Sequence, residues 1–335
     1  MIGSRKKARH PKRILVGEKG CRAMSKIRYR VRNWREYNKA LTERFNINLW
    51  ISEDAVSSWY AEPSGRRGAP RIYSDEAIRC CLAVRVLLHL PLRGCEGFIR
   101  SILSLLGLPW LMTPDYATLC RRGKTLDVVL PRVRRGGRIF LLVDSSGLKI
   151  YGEGEWKART HGVGKRRTWR KLHIAVDADT GEIVSGVLTG ADAHDSEVLP
   201  EMLSDLGEPS GAVVGDGSYD THDDYAAISN AGARAVIPPR RGAKTWKRWR
   251  RGDLPHARDD TVRYIRKHGV GRWKEESGYN RRSLVENSFF RIKTIFWERL
   301  RSREFDNQKT EARLRLFILN RMTKVGMPEA YPATN

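Results

Sequence analysis

The chain has 335 residues, with 63 Lys and Arg against 38 Asp and Glu, a formal net charge of +25. This length allows a sizeable core and either two domains or one domain with a large insertion. The charge argues against partners other than a polyanion, and DNA comes first, because counterion release makes binding through many Lys and Arg strong.

No long apolar run marks a membrane span, and the basic start (Arg5, Lys6, Lys7, Arg9) lacks an apolar signal core. The cysteines Cys21, Cys80, Cys81, Cys95 and Cys120 have neither zinc-ribbon spacing nor an even count, so small apolar core roles in a reducing compartment are expected. The expected location is cytoplasmic and nucleoid-associated.

Residues 1–23 are basic, rich in Gly and Pro and aperiodic, which predicts a disordered arm; Met24 is an alternative start. A helical DNA-binding domain is expected over 24–130. Its first clear helix follows the N-cap Ser74, with Ile78, Cys81, Leu82, Val84 and Leu88 at helical spacing. Pro91 and Gly94 punctuate, and Phe98, Ile99, Ile102, Leu105 and Leu106 mark a second helix ending near Gly107. A third starts after Pro114 and Asp115 and carries Arg121, Arg122 and Lys124. Either the three form a helix-turn-helix whose last member enters the major groove, or they form a helical bundle with a solvated basic face.

After the basic linker Arg132 to Arg138 the texture changes. Ile139 to Val143 is an apolar run stopping at Asp144, as a buried central strand does. Lys171 to Asp177 and Glu182 to Thr189 predict a hairpin across Asp179-Thr180-Gly181. Asp195 or Ser196 caps a helix reaching Leu206, Ala212 to Gly215 is a strand ending at Asp216, a helix covers about Asp223 to Asn230, and Ala233 to Ile237 is a strand. Together these predict an α/β domain with a mixed sheet over 131–335, interrupted at about 238–278 by a basic insertion carrying Trp246, Trp249, Tyr264 and Trp273.

Sites in open α/β sheets lie beyond strand ends, where Asp144 and Asp216 are expected. Each alone is also explained by turn chemistry. Tyr279, Arg282, Glu286 and Lys293 are spaced by three, four and seven, which predicts one stripe of a helix. Val285, Phe289, Ile292 and Phe296 form a second, apolar stripe that would lie on the sheet. An ordinary Arg282–Glu286 helix pair also satisfies that spacing.

These residues resemble the transposases of bacterial insertion sequences, family five. The signature Tyr, two residues, Arg, three residues, Glu, six residues, Lys is matched by Tyr279, Arg282, Glu286 and Lys293. The likeness extends through Asp144 to Lys149, Gly152 to Lys157, Lys165 to His173, Asp177 to Glu182, Ala193 to Ser196 and Gly215 to Asp220. In the first half it includes Tyr29 to Tyr37, Gly65 to Ser74 and Pro91 to Leu106.

The resemblance implies a ribonuclease H-like catalytic fold with Asp144, Asp216 and Glu286 as a metal-holding acidic triad. The implied cofactor is two Mg²⁺ ions, with Mn²⁺ as a substitute, which suit hard carboxylate ligands. The implied activity is cleavage at terminal inverted repeats followed by strand transfer, by a homo-oligomer assembled on DNA ends. Tyr279, Arg282, Lys293, Arg121, Arg122, Trp246 and Trp249 are the expected DNA contacts. Trp156, Trp169 and Trp273 among basic residues suit either base stacking or core anchoring. Ser145, Ser146 and Ser218 are expected in turns and caps, and His194 as a helix-entry residue rather than a base. A nuclease or resolvase on the same fold, and a non-enzymatic DNA-binding regulator, are the competing readings.

Overall fold

A computed structural model describes residues 29–63, 65, 68, 70–130, 139–150, 169–204, 206, 211–246 and 256–332. The expected arm 1–23, Met24, the linker Arg132 to Arg138, Trp156 and Trp249 lie outside the described residues.

Strand β1 (Tyr29–Val31) leads into helices α1 (Trp34–Glu43), α2 (Ile47–Trp50) and α3 (Glu53–Ser57), then α4 (Asp75–Leu87), α5 (Leu92–Leu105) and α6 (Tyr116–Gly123). The caps are those the sequence signals: the Ser74 side chain accepts from the Ala77 N–H at 3.0 Å, and Asp115 accepts from the Thr118 N–H. Nine of the 13 residues of α4 are buried, including Cys80 and Cys81. Burial pushes the Cys80 thiol up to about 12 and the Cys95 thiol up to about 11, so these cysteines behave as small apolar side chains.

The sheet is built from β2 (Phe140–Ile150), β3 (Trp169–Asp177), β4 (Ile183–Gly190), β5 (Ala212–Val214), β6 (Arg234–Val236) and β7 (Arg299–Leu300). Its order is β4-β3-β2-β5-β6, with β7 also pairing β2. The first three strands form an antiparallel meander, and β5 and β6 then run parallel to β2. This is the ribonuclease H-like arrangement. The hairpin between β3 and β4 turns at Gly181, whose φ of +71° suits glycine.

Helices α7 (Asp195–Ser204) and α8 (His222–Asn230) cover one face, around Leu141, Val143, Val213 and Ala175. The basic segment after β6 contains α9 (Ala257–His268) and α10 (Val270–Ser277). Helices α11 (Ser283–Phe296) and α12 (Phe305–Val325) cover the opposite face, around Leu142, Leu148 and Val214. That second core is continuous with the N-terminal helices through α4, which packs on α12. Strand β8 (Ala330–Pro332) closes the chain on β1.

Two local expectations are corrected. The strand carrying Asp144 does not stop there: β2 runs on to Ile150, because β3 continues beside it as far as Lys149 opposite Trp169. Tyr279 and Arg282 precede the helix, in a 3₁₀ turn (Tyr279–Arg282) entered from Gly278 at φ +79°, so only Glu286 and Lys293 lie within α11.

Candidate active site

The alternation of β2 sets the direction of Asp144. Leu141 and Val143 belong to the α7 side, whereas Leu142 and Leu148 belong to the α11 side, so Asp144 shares the α11 face. The same parity holds on β5, where Val213 faces α7 and Val214 faces α11. Phe140 pairs with Ala212 and Leu142 with Val214; continued two residues, that parallel register brings Asp144 level with Asp216. Beyond Leu142, β2 loses β5 and gains β7 only at Lys149, which leaves a notch in the sheet beside Asp144.

Asp216 is fixed by its own turn, its carboxylate accepting from the Ser218 N–H at 2.8 Å and from the Ser218 hydroxyl. Gly215 permits that turn: a Cβ there would lie 2.7 Å from the Tyr219 ring. Asp216 is thus the capping residue and Ser218 lies inside the 3₁₀ turn (Gly217–Tyr219) that it caps, in keeping with turn chemistry, whereas Ser145 and Ser146 lie within strand β2.

Helix α11 crosses this face with Val285, Phe289, Ile292 and Phe296 buried, the apolar stripe read from the sequence. Seating that stripe puts Glu286 at the edge of the notch. Arg282 joins the two sides, donating to Asp144 Oδ2 at 3.0 Å and to Glu286 Oε1 at 2.6 Å. Asp144 also accepts from the Ser145 N–H at 2.9 Å. Burial, reinforced by the charges of Asp216 and Asp195 and opposed by Arg282, holds the Asp144 pKa above the ordinary carboxylate value. Tyr279 is half-buried beside the same groups and its phenol is raised, first by burial and then by Asp216, Asp144 and Glu286. Its ring packs on Trp273 at 5.4 Å, so Trp273 is a core residue.

Among the described residues no three His, Cys, Asp or Glu side chains are gathered closely enough to hold a metal ion as they stand. Glu286 is turned to Arg282. The donor set nonetheless suits a hard dication: the carboxylates are oxygen ligands, and Asp144 and Asp216 repel one another in a half-buried notch where Arg282 supplies countercharge.

The sequence did not single out what lies behind the site. Asp195, at the start of α7, is 3.0 Å from Lys171 Nζ and 3.2 Å from His173 Nδ1, on the opposite sheet face from Asp144. Burial works against its charge, yet hydrogen bonds from His173, Ser145 and Lys171 hold its carboxyl far below the usual range. His173 is fully buried, with Nε2 3.0 Å from Thr189. The β-pairing of Ser145 with His173 gathers this group, and only strand register shows it.

The remaining expected DNA contacts separate. Arg121 is exposed on α6, but Arg122 is committed internally, to the Tyr73 carbonyl at 2.8 Å and the Asp75 carboxylate. Trp246 is engaged by the His222 ring at 3.6 Å and the Arg258 guanidinium at 4.0 Å, and Arg258 is in turn bound to buried Asp220. Its ring therefore joins the segment after β6 to the sheet domain instead of presenting an open stacking face. Lys293, two turns beyond Glu286, lines a separate cavity with Lys149, Trp297, Glu298, Arg299 and Arg301. His194 immediately precedes α7, a helix-entry residue as expected.

Two family models, both described as "Transposase DDE domain", match the chain, one over residues 42–153 and the other over residues 135–321. The second alone spans more than half of the 335 residues. The chain belongs to the DDE-domain transposases. Enzymes of this class use divalent metal ions to cut and transfer DNA. Among solved structures, the transposase is distantly similar to the piggyBac transposase of a cryo-EM synaptic complex with hairpin DNA. The TM-score is 0.33 at 10% identity, covering 82% of this chain and 73% of that one. Among the described residues no helix is long and apolar enough to cross a membrane.

Proposed function

We propose that this transposase is encoded by an insertion sequence of family five, that it binds the element's terminal inverted repeats, and that it cleaves the ends and transfers the 3′-hydroxyls to target DNA. The observation that carries this reading is the Arg282 fork at the notch in the sheet, which joins Asp144 to Glu286, while the parallel register of β2 and β5, continued two residues, brings Asp216 level with Asp144. Asp144, Asp216 and Glu286 are the residues that would hold Mg²⁺, two ions with Mn²⁺ as a substitute. Bound there, such ions stabilise both the attacking and the leaving oxygen of an in-line displacement at phosphorus.

The chain's own residues do the rest. Arg282 pairs with the carboxylates of Asp144 and Glu286 in the free protein and is positioned to turn its fork to a phosphate when the carboxylates take another partner. Lys293 offers a point charge on α11, and Arg121 an exposed cation on α6 for the element end. The division at about residue 130 into end-binding helices and a catalytic part, the homo-oligomer on paired ends, and a nucleoid-associated location in the cytoplasm complete the proposal.

The test is cleavage and strand transfer of labelled element-end DNA in Mg²⁺, with gel-shift binding in parallel. Glu286→Gln, Asp144→Asn and Asp216→Asn should each lose on the order of a thousandfold in rate, about 4 kcal/mol, with DNA binding kept. Combining them should add little, because the groups act as one unit. Near-normal cleavage by Glu286→Gln protein that still binds DNA refutes the assignment. Cleavage without strand transfer by the native chain would reduce the function to that of a nuclease.

A further inference from the structure

Among the described residues, two that are not glycine have a left-handed φ: His89, at +54°, and Trp297, at +63°. They are far apart in sequence, yet their rings stack on each other with centroids 4.0 Å apart and planes within 2°. Such backbone persists only where the surroundings hold it, and here they do. The Trp297 carbonyl accepts from buried Arg315 at 3.1 Å, and Arg315 also donates to the Arg299 carbonyl. Glu311, buried beside Arg315, accepts from the Arg301 and Ser302 N–H groups. Arg301 donates to the His89 carbonyl, and His89 Nε2 lies 3.1 Å from the Ile295 carbonyl, which fixes the proton on Nε2.

This clamp holds a large indole outward. Trp297 remains 56% exposed although one face is covered by His89. It borders the cavity of about 500 Å³ shared with Lys149, Lys293, Arg299 and Arg301; among the described residues that lining is four cations and one carboxylate, Glu298. Glu298 is itself paired with Lys149 at 2.9 Å. A tryptophan needed only to join α4 to α11 would bury its ring; one clamped open beside four cations has the parts of a nucleotide site, a π-face for a base and charges for the adjoining phosphates.

We infer that Trp297, backed by His89, and the cavity of Lys149, Lys293, Arg299 and Arg301 form a binding site for an unpaired nucleotide of the DNA strand being processed. The base stacks on the outer face of Trp297 and its flanking phosphates enter the cavity. The seven residues from Glu286 to Lys293 correspond to roughly 10 Å of helix. That is about three base steps along a strand. The nucleotide held here is therefore a few positions from the bond cut at the notch, and the site would keep the strand open and in register there. This rests on the chain being a DNA-processing enzyme.

The experiment uses the full chain and a duplex carrying a short single-stranded tail with 2-aminopurine, beside the same duplex without the tail. Quenching of 2-aminopurine and preference for the tailed DNA are expected for native protein and for Trp297→Phe, which keeps a ring. Trp297→Ala should lose the quenching and bind tailed DNA roughly five- to a hundredfold more weakly, with duplex affinity within about twofold. Lys149→Gln with Lys293→Gln should make the salt dependence of tailed-DNA binding shallower by a slope of about 1.4. Native chain with 5-iodouracil in the tail should photocrosslink to Trp297 or His89, a readout that survives any folding defect of the alanine variant. Crosslinks that map only elsewhere, or Trp297→Ala that quenches and binds as native does, overturn the site and leave the transposase reading standing if the protein still cleaves element ends. Failure of native protein to bind either DNA overturns both.

Discussion

Two Arg–Glu pairs with the same i,i+4 spacing have opposite places in this molecule. Arg282 and Glu286 meet at 2.6 Å with the glutamate side chain 57% exposed; Glu311 and Arg315 meet at 2.8 Å with both almost wholly buried. The buried pair has no freedom left: Glu311 is bound by Arg315 and by the Arg301 and Ser302 N–H groups, and Arg315 caps the carbonyls of Trp297 and Arg299. The exposed pair has a single fork shared among two carboxylates and open solvent on one side. The chemistry of the side chains is identical, so surroundings alone make one pair structural and leave the other able to exchange partners.

The contrast can be broken most severely at the buried pair. Glu311→Ala strands an unpaired guanidinium and two backbone donors, and should destabilise the protein by about 3–5 kcal/mol in urea unfolding. Glu286→Gln, the variant proposed to lose cleavage, should cost no more than the roughly 0.2–0.5 kcal/mol of an exposed helix pair. If the two variants unfold alike, burial is not what separates the pairs.

Asp144 sharpens the same point with pH. Its folded-state pKa is raised, chiefly by burial, so the folded chain binds the proton more tightly than the unfolded chain does. Its ionised form therefore weakens the metal-free fold above the folded-state pKa, and that penalty disappears below the unfolded value near about 3.9. Asp144→Asn should raise the Tm of metal-free protein at pH 7, with the advantage shrinking as pH falls through the carboxylate range. A lower Tm at pH 7 would mean that the Arg282 pair outweighs the burial.

The smallest expected effects separate neighbouring arginines on α6. Arg121→Gln should reduce the salt slope of duplex binding by about 0.9 with no change in Tm. Arg122→Gln should instead lower stability by roughly 1.5–3 kcal/mol, a charged hydrogen bond to the Tyr73 carbonyl being lost, with the slope unaltered. The reverse pattern would exchange their roles.

Local signals were legible because they are short-range. Ser74 and Asp115 announce their helices by capping, Asp179-Thr180-Gly181 announces the hairpin, and Val285, Phe289, Ile292 and Phe296 announce the face of α11, each through chemistry confined to a few neighbouring residues. The acidic residues and the Tyr/Arg/Glu/Lys spacing were equally plain. The length of β2 was not, since its continuation past Asp144 depends on β3 and β7 lying beside it.

The parity that turns Asp144 and Asp216 to one face was implicit in alternation, but their adjacency required the parallel register of β2 and β5. Arg122 and Trp246 read as DNA contacts because composition does not distinguish a solvated cation or ring from one engaged by Tyr73, Asp75, His222 or Arg258. The stacking of His89 on Trp297 joins residues more than two hundred positions apart. Sequence alone thus determined the elements and the chemical groups available, through periods and caps set by nearest neighbours. Only the tertiary structure decided which groups meet and which remain open, because burial and long-range register belong to the packed chain.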